Sequence, residues 1–558
     1  MSYNVGQDRN QITMLPECLD DFVSAGNPIR IVDRIVSSLD LRALGFKYAV
    51  SADTGRPPYD PRDLLKLYIY GYLHGTNSGR DLEELCKVNV EVMWLVKRIQ
   101  PDFRTICAFR RNNPQAIQGA MLKFNELWMM LGLIGSDTVA IDSSKFRAVN
   151  SKDNNYSEEK LNRLLAHYKK RIAEYMEKLE QADQLDENKE SEEFTAAEIA
   201  EMQRKLEIFN QRQQEHSQRL ALLKETGQKQ VSTTDPDSRR MRSNDGTIVG
   251  YSAQMTIDSK NKMILDFEVN NAGNDTQQLE EMALRAKELL KVEKLKVAAD
   301  TGYFKAEAII NCEKAGIETH VSVPNPPTKN PHLFQKKDFL YDTENDLYIC
   351  PANQKLIFKG ITSEHGRTLC RYEPVAANTC RDCPLRIQCT TRKKKNRRIT
   401  RFIDEHILEK AVQRNEASPD LRTLRKSMVE HPFGTIKCRI NHGRFLTKGK
   451  INVQTEFALA VIAYNIKRVF SILGRRFLTS PRLDRFALPK PHVYLFFGYF
   501  GSIRKKLFGC ISKITCFQLN STQPLRSMTF GTVSRLRRAL ELELSPRDVG
   551  VTNAKHQS

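Results

Sequence analysis

The chain of 558 residues is 40% hydrophobic and 8% aromatic, so it can build globular cores and is long enough for several domains. Its formal net charge of +20 is unevenly distributed: residues 380–558 carry 36 Lys and Arg against 12 Asp and Glu, which indicates a polyanionic partner, most often a nucleic acid. We expect a reduced, cytoplasmic protein without a membrane span, because long uncharged apolar stretches and a signal pattern are missing and the 12 cysteines are mostly scattered.

The first 130 residues are predicted to be helical. Apolar residues recur at helical spacing over Pro28–Asp40 and Pro61–Leu73, and shorter helices are predicted at Arg80–Val88 and Asp102–Arg111. Short helices joined by tight turns fit a helix-turn-helix-like module that binds DNA. They fit an all-helical cap without a ligand equally well.

A long polar arm interrupts the next part of the chain. The segment TVAID predicts a short buried strand that ends at Asp142. Residues 157–229 then carry 13 basic and 16 acidic residues and no proline, with apolar residues spaced alternately by three and four. This spacing predicts an antiparallel helical hairpin, and its net negative charge favours an assembly element over a DNA-binding groove.

Strand and helix patterns alternate after the arm. We predict a hairpin of two strands, then helix, strand, helix and strand: Val249–Ile257, Met263–Val269, Thr276–Leu290, Leu295–Ala299, Lys305–Ala315 and Ile317–Val323. This alternation is typical of a mixed α/β sheet. An insert at about 324–400 interrupts it, and two helices follow at about 421–437 and 452–473. No periodic pattern is visible after residue 475.

Three carboxylates stand out as candidates for metal-dependent chemistry. Asp142 and Asp300 each end a short apolar strand (TVAID and KVAAD), and the carboxyl ends of strands are where α/β sheets bind ligands. Glu430 is the only acidic residue among eight Lys and Arg in residues 421–450. Three such carboxylates can hold two divalent metal ions, and the surrounding cations can hold phosphates. With 67 acidic residues in the chain, chance selection of such a trio remains an alternative.

Four thiols are concentrated in the insert, at Cys350, Cys380, Cys383 and Cys389. Such a set, with one C-x2-C pair, fits structural Zn²⁺, and the alternative is free thiols in a loop. A basic run follows directly, and its members Arg392, Lys393, Lys394 and Arg397 are predicted to contact DNA. The alternative for this run is a solvated loop.

Three further acidic residues are predicted to be structural. Asp235 and Asp237 in TTDPDS are expected to form hydrogen bonds in a turn, and Glu456 is expected to pair with a nearby Lys or Arg.

Over about residues 1–474 the chain resembles the DDE transposases of bacterial insertion sequences. The resemblance is carried by several separate segments: TGRPPYDPRDLLKLYIYGYL, PDFRTICAFRRNN, VAIDSSKFRAVNS, STTDPDSRRM, VGYSAQMTIDSKNKMILD, VAADTGYF, MVEHPFGTIK and ALAVIAYNIKR. It implies an RNase H-like catalytic core whose third acid lies in a tyrosine–arginine–glutamate–lysine signature.

The resemblance also implies roles for individual residues. Asp142, Asp300 and Glu430 would be the catalytic acids that hold two Mg²⁺ ions, with Mn²⁺ as a substitute. Lys437 matches the signature lysine that contacts DNA near the cleavage site. Lys426, with Arg425 beside it, stands where the signature has arginine, and both are predicted DNA contacts. Thr423 replaces the signature tyrosine.

The resulting hypothesis is an α+β multidomain protein. A helical DNA-binding domain (1–130) precedes an RNase H-like mixed α/β core (131–474), which has a coiled-coil-like arm (153–230) and a Cys-rich insertion (324–400); a basic tail (475–558) has no predicted role. We expect a bacterial transposase that binds double-stranded DNA, both the terminal inverted repeats of its element and the target, as a homo-oligomer, and that performs cleavage and strand transfer. The alternatives are an inactive DNA-binding derivative and a metal-dependent nuclease without strand transfer.

Overall fold

The structure, a computed structural model, describes residues 18–50, 57–135, 137–187, 195–243, 246–324, 332–364, 367–391 and 395–478. Arg392, Lys393 and Lys394 of the basic run, and residues 479–558 of the basic tail, lie outside the described residues.

The N-terminal part of the chain is helical, as predicted. Its helices are α1 (Ile29–Ser37), α2 (Pro61–Leu73), α3 (Gly79–Val88), α4 (Val90–Leu95), α5 (Phe103–Asn112) and α6 (Pro114–Met130). Local signals explain the starts of two of them. The Asp60 side chain accepts a hydrogen bond from the Arg62 amide before Pro61, and the Asp102 side chain accepts one from the Thr105 amide.

A mixed sheet follows the helices, and its strands are interrupted by the arm. The strands in this region are β1 (Thr138–Arg147), β2 (Asn155–Ser157), β3 (Gln230–Ser232), β4 (Arg239–Ser243), β5 (Gly246–Asp258), β6 (Ile264–Asn270), β7 (Leu295–Ala299) and β8 (Ile317–Val321). In the main sheet β5 pairs antiparallel with β4, β6 and β1, while β1, β7 and β8 run parallel. The predicted β5–β6 hairpin is confirmed.

Strand β1 is longer than predicted and does not end at Asp142. Its antiparallel pairing with β5 continues to Arg147, opposite Gly250, whereas its parallel pairing with β7 stops at Ile141, opposite Ala299. Asp142 therefore lies where the parallel pairing ends, although the strand itself runs on.

The arm is an antiparallel helical hairpin, as predicted. Helices α7 (Glu158–Glu187) and α8 (Ala196–Thr226) rise from the β2–β3 pair, and Thr195 begins α8 with a capping box that includes Glu198. The ring of Tyr168 on α7 lies 6.0 Å from that of Phe209 on α8, so aromatic packing joins the two helices.

Two helices lie between β6 and the insertion, and the insertion forms a sheet of its own. The helices are α9 (Leu279–Leu290) and α10 (Ala306–Lys314). The insertion contains β9 (Leu340–Asp342), β10 (Leu347–Ile349), β11 (Lys355–Glu364), β12 (Arg367–Pro374), the short helix α11 (Arg386–Cys389) and β13 (Ile399–Phe402). Its strands pair antiparallel around a small cluster that includes Tyr348, Leu356 and Tyr372.

The chain then forms α12 (Glu405–Ala417), α13 (Pro419–Thr435), a π-helical turn (Ile436–Ile440) and α14 (Lys450–Leu478). The described part of the chain contains one helix, α14, that is long and apolar enough to cross a membrane by length and composition alone. Within the fold 61% of its apolar window is buried. Asn465 on α14 donates to Asn125 on α6 (3.0 Å) and to the Ile264 carbonyl on β6 (2.8 Å). Helix α14 therefore joins the N-terminal helices and the sheet into one continuous hydrophobic core.

Candidate active site

Asp142 and Asp300 come together at the end of the parallel pairing, on either side of an arginine. Helix α13 lies against β1 and β7 and places Arg425 between the two aspartates. The Arg425 Nη1 atom lies 2.8 Å from Asp142 Oδ2, and its Nη2 atom lies 3.6 Å from Asp300 Oδ1. The Arg425 and Asp142 side chains are mostly buried, at 13% and 20% exposed, while Asp300 is 57% exposed. The two aspartates thus share one cation.

The surroundings of Asp142 disfavour its charge. Burial is the main cause that raises the pKa of Asp142 to about 6, and the nearby Asp300 and Asp275 act in the same direction. The Ser143 amide, which donates to Asp142 Oδ1 at 2.7 Å, and Arg425 lower the pKa. A neighbouring positive charge therefore stabilises the ionised form of Asp142.

Asp275, in the loop before α9, is a third acid at this site that the sequence analysis missed. Its Oδ2 atom accepts from the Ser143 hydroxyl at 2.9 Å. Its Oδ1 atom accepts from Lys145 Nζ at 3.2 Å and from Gln254 Nε2 at 2.5 Å. The hydroxyl of Tyr303, three residues after Asp300, donates to Gln254 Oε1. No motif marks Asp275, because tertiary packing alone brings this loop to β1.

Glu430 is not brought to the two aspartates. It lies five residues beyond Arg425 on α13, which places it about 140° further around the helix. Its side chain is exposed, and within the described residues it has no hydrogen bond or ion pair. In the same part of the chain, no three His, Cys, Asp or Glu side chains are grouped closely enough to hold a metal ion. The role of Glu430 as the third acid stays a prediction.

The predicted DNA contacts have different surroundings. Lys437, on the π-helical turn, has its Nζ atom 5.2 Å from the centre of the Phe146 ring, and Lys426 is exposed on α13. Arg425 pairs with the aspartates. Arg397 donates to the Phe334 carbonyl at 3.1 Å, so it is engaged inside the insertion.

Four of the five cysteines of the insertion, Cys350, Cys380, Cys383 and Cys389, line one small cavity of about 20 Å³. All are free thiols, and Cys370 on β12 is not among the residues that line the cavity. Two backbone amides point at sulfur atoms: Gln354 donates to Cys350 Sγ at 3.3 Å, and Arg397 to Cys380 Sγ at 3.5 Å. Burial raises the pKa of Cys389. The structure therefore separates Cys370 from the predicted set of four.

Comparison with known families identifies two segments of the chain. Residues 17–112, which include α1–α5, match the transposase domain family DUF772. Residues 349–470, which include most of the insertion and the helices that carry Arg425, Glu430 and Lys437, match a transposase DDE domain family. Asp142, Asp275 and Asp300 lie outside both matched segments.

Comparison with individual proteins adds little. No curated protein matches the chain. A cryo-EM structure of the piggyBac transposase synaptic complex with hairpin DNA aligns over 91% of this chain and 89% of that chain, at 10% identity and a TM-score of 0.30. At this TM-score the similarity has no bearing on fold or function.

Proposed function

We propose that this chain, which carries the two domains of an insertion-sequence DDE transposase, cleaves DNA at the ends of its element and joins those ends to target DNA. The observation that carries the proposal is the meeting of Asp142 and Asp300 directly after the last parallel pair of β1 and β7, around one shared cation. The mixed order of the main sheet, with parallel β1, β7 and β8 beside antiparallel β5 and β6, supports an RNase H-like core.

The chemistry of the two aspartates fits Mg²⁺, although Glu430 does not lie with them in the structure. Carboxylate oxygens are the ligands that Mg²⁺ prefers, and the Arg425 guanidinium already occupies a cationic position between Asp142 and Asp300. Asp142 and Asp300 would hold the ion, with Glu430 as the proposed third ligand. When bound, Mg²⁺ supplies activation of the attacking hydroxyl and stabilises the leaving oxygen of the phosphodiester.

The chain's own groups do the positioning. The Ser143 amide holds Asp142 Oδ1, and the Ser143 hydroxyl is held in turn by Asp275, so the Asp142 carboxylate has a fixed orientation. Arg425 compensates the two aspartates and, once another cation replaces it there, is free to contact a phosphate.

The partners follow from the same proposal. The substrates are double-stranded DNA at the terminal inverted repeats and at the target, and the work is done in the bacterial cytoplasm by a homo-oligomer. The arm, formed by α7 and α8, is a suitable assembly element because most of its described side chains are exposed to solvent.

The insertion is proposed to bind structural Zn²⁺ through Cys350, Cys380, Cys383 and Cys389. These four thiols line one cavity, and amide-to-sulfur hydrogen bonds of the kind seen here stabilise thiolates. Bound Zn²⁺ would fix the loop that carries α11 against β10 and β11.

The central test is cleavage of a labelled duplex that ends in the element's terminal repeat, identified in the DNA that flanks the reading frame. Asp142→Asn and Asp300→Asn should each abolish Mg²⁺-dependent cleavage, while Asp153→Asn, an exposed aspartate outside the site, should cleave normally. Cleavage that survives in Asp142→Asn would reject the assignment.

Joining of the cleaved ends to a target plasmid separates a transposase from a nuclease that only cleaves. Binding of the duplex by the unaltered chain without cleavage would favour the inactive DNA-binding alternative. Glu430→Gln, assayed in parallel, tests the third acid, and cleavage at the unaltered rate would remove Glu430 from the site.

A further inference from the structure

Beside the aspartates the structure contains a cavity of about 480 Å³ whose charged lining is basic. Five side chains supply its cationic or titratable groups, and we call this set the cationic pocket: Lys145, Arg147, Lys437, His442 and Arg444. None of the described residues that line it is acidic. Only Lys437 of this set was predicted from the sequence as a DNA contact.

The pocket is built on a fixed backbone. Past Asp142, strand β1 forms a parallel bridge with the loop that follows the π-helical turn, so that Arg147 pairs with Arg444. The Arg147 amide donates to the Gly443 carbonyl at 3.0 Å, and the Phe445 amide donates to the Arg147 carbonyl at 2.9 Å. Phe445 is buried against the Phe146 ring, with 5.5 Å between ring centres.

The turn itself has a left-handed backbone, with φ of 55° at His442 and 68° at Gly443. Just beyond it, the buried carboxylate of Glu456 accepts hydrogen bonds from the Leu446 and Thr447 amides. Both ends of the loop are therefore tied to the core, and its side chains are presented without the entropic cost of ordering a mobile segment.

Two of the five side chains of the pocket carry a charge that the described residues do not compensate. Arg147 and Arg444 are exposed, and within the described residues neither guanidinium has a hydrogen bond or ion pair. Other arginines of the same core, such as Arg285, have carboxylate partners. These two exposed guanidinium groups, one at the end of β1 and one on the loop bridged to it, have no anionic partner among the described residues and are suited to an external anion.

The pocket is continuous with the aspartate site through Lys145. This residue lies between Asp142 and Arg147 on β1, and its Nζ atom contacts both Asp275 (3.2 Å) and the Ser252 hydroxyl (2.7 Å). A strand rises about 3.3 Å per residue, so Arg147 lies roughly 17 Å from Asp142. That distance is long enough to span several phosphates of one DNA strand.

We propose that the cationic pocket binds the phosphate backbone of the DNA strand whose cleaved phosphodiester lies at Asp142 and Asp300. The inference rests on the proposed function for the identity of the ligand, and it adds the surface on which the strand is held. Arg147 and Arg444 bind phosphates several nucleotides from the reacting one, and Lys437 and Lys145 bind those nearer to the aspartates.

The test is the salt dependence of DNA binding in EDTA, measured by fluorescence anisotropy with a labelled duplex of arbitrary sequence. Arg147→Ala/Arg444→Ala should lower the slope of log Kd against log salt by about one for each arginine, because each phosphate contact releases about one counterion. The same double variant should raise Kd about tenfold or more at about 0.1 M salt.

Matched controls keep this result interpretable. Lys294→Ala, an exposed lysine before β7 at the opposite end of the strands, should leave the slope unchanged. Arg147→Lys/Arg444→Lys keeps both charges and should restore most of the slope. An unchanged slope in the alanine double variant, or the same loss in the lysine double variant, would overturn the proposal.

The binding assay and the cleavage assay are independent. The alanine double variant could have a lower salt slope while the unaltered chain never cleaves DNA. This result would reject the proposed function and retain the pocket as a DNA-binding site. Cleavage by the unaltered chain, with no change of slope in the variant, would keep the function and remove the pocket.

Discussion

Arg425 supplies a positive charge to the candidate site in the protein itself. Its guanidinium lies between two carboxylates, one of which is mostly buried and has a raised pKa. A buried carboxylate without its cation has a large desolvation cost. In the protein alone Arg425 compensates Asp142, and under the proposed function we expect a bound metal ion to take over this role.

Replacement of Arg425 should consequently make the stability of the protein depend on metal. Arg425→Gln should lower the free energy of unfolding in EDTA by about 1–3 kcal/mol, because it leaves Asp142 without its charged partner. Addition of Mg²⁺ should raise the melting temperature of this variant more than that of the unaltered chain. Melting curves with and without Mg²⁺ measure both effects.

Arg422→Gln is the matched control, since Arg422 is exposed on the same helix. It should behave like the unaltered chain in both conditions. If Arg425→Gln melts at the unaltered temperature in EDTA, the arginine does not stabilise the aspartate pair.

Glu456 is a second buried carboxylate, and its titration should be visible in stability. Burial raises its pKa above the ordinary value of 4.5, although the nearby Arg110 and the Leu446 and Thr447 amides favour the charged form. A carboxyl group with a raised folded-state pKa contributes stability that is present below pH 4.5 and is lost as the pH rises through the folded-state value.

Glu456→Gln removes this titration and keeps an acceptor oxygen. Relative to this variant, the unaltered chain should therefore lose free energy of unfolding as the pH rises from about 4.5. Denaturant unfolding of both proteins across this range measures the difference. A constant difference at every pH would show that Glu456 titrates alike in the folded and unfolded chains.

The sequence was a partial guide to these residues. Asp142 and Asp300 could be found because each follows a short apolar run of residues, which is a local pattern. Asp275 lies in a polar loop, and Arg425 was predicted as a DNA contact, not as the partner of the two aspartates. Both acquire their roles only from contacts with β1, which is more than 100 residues away in each case.

At the scale of elements, local chemistry decided which predictions succeeded. Helix α2 has the predicted bounds, because proline marks its first residue and Asp60 caps it. Strand β7 also has its predicted bounds. The strands of the insertion were missed because they are short or exposed, and their pairing across the sheet, not an apolar pattern, defines them.

Acidic residues at a turn were interpreted correctly as structural, although their partners are distant. Asp235 is fully buried and accepts from the Tyr251 hydroxyl and the Gly449 amide, while Asp237 accepts from the Lys450 amide. Together they hold the start of α14. A turn between β3 and β4 thus fixes a helix more than 200 residues later.

The insertion should depend on zinc for its structure. Its own hydrophobic cluster is small, so four thiolates on one metal ion would be a major part of its stability. We expect the purified chain to contain one Zn²⁺, measured by elemental mass spectrometry, and Cys383→Ser to lose it. Chelation should then increase proteolysis within residues 332–402.

Cys370→Ser provides the control in the same sheet, because Cys370 lies on β12 and outside the cavity. It should retain its zinc. A chain without zinc, whose Cys383→Ser variant resists protease like the unaltered protein, would leave the four residues as free thiols.

The molecule as a whole does not divide where its family domains do. The N-terminal helices match one family and the last helices another, yet residues from Val23 to Val469 belong to one continuous hydrophobic core. Helix α14 packs on α2 and α6 as well as on β6. The packing of α14 therefore crosses the expected functional boundary near residue 130.

This shared core predicts that the N-terminal helices and the catalytic sheet unfold together. Both tryptophans of the chain, Trp94 and Trp128, lie in the N-terminal helices, so tryptophan fluorescence reports on that region alone. Its thermal transition should coincide with the loss of far-UV circular dichroism from the sheet and α14, since a cooperative unit has one transition.

Asn465→Leu sharpens the same prediction, because it breaks the hydrogen bonds from α14 to Asn125 and Ile264 at the centre of the junction. It leaves buried polar groups without partners, which costs about 1–3 kcal/mol each. Both transitions should move down together by several degrees in this variant. If the fluorescence transition shifts while the circular dichroism transition stays, the helices and the sheet are separate folding units, and α14 belongs energetically to only one of them.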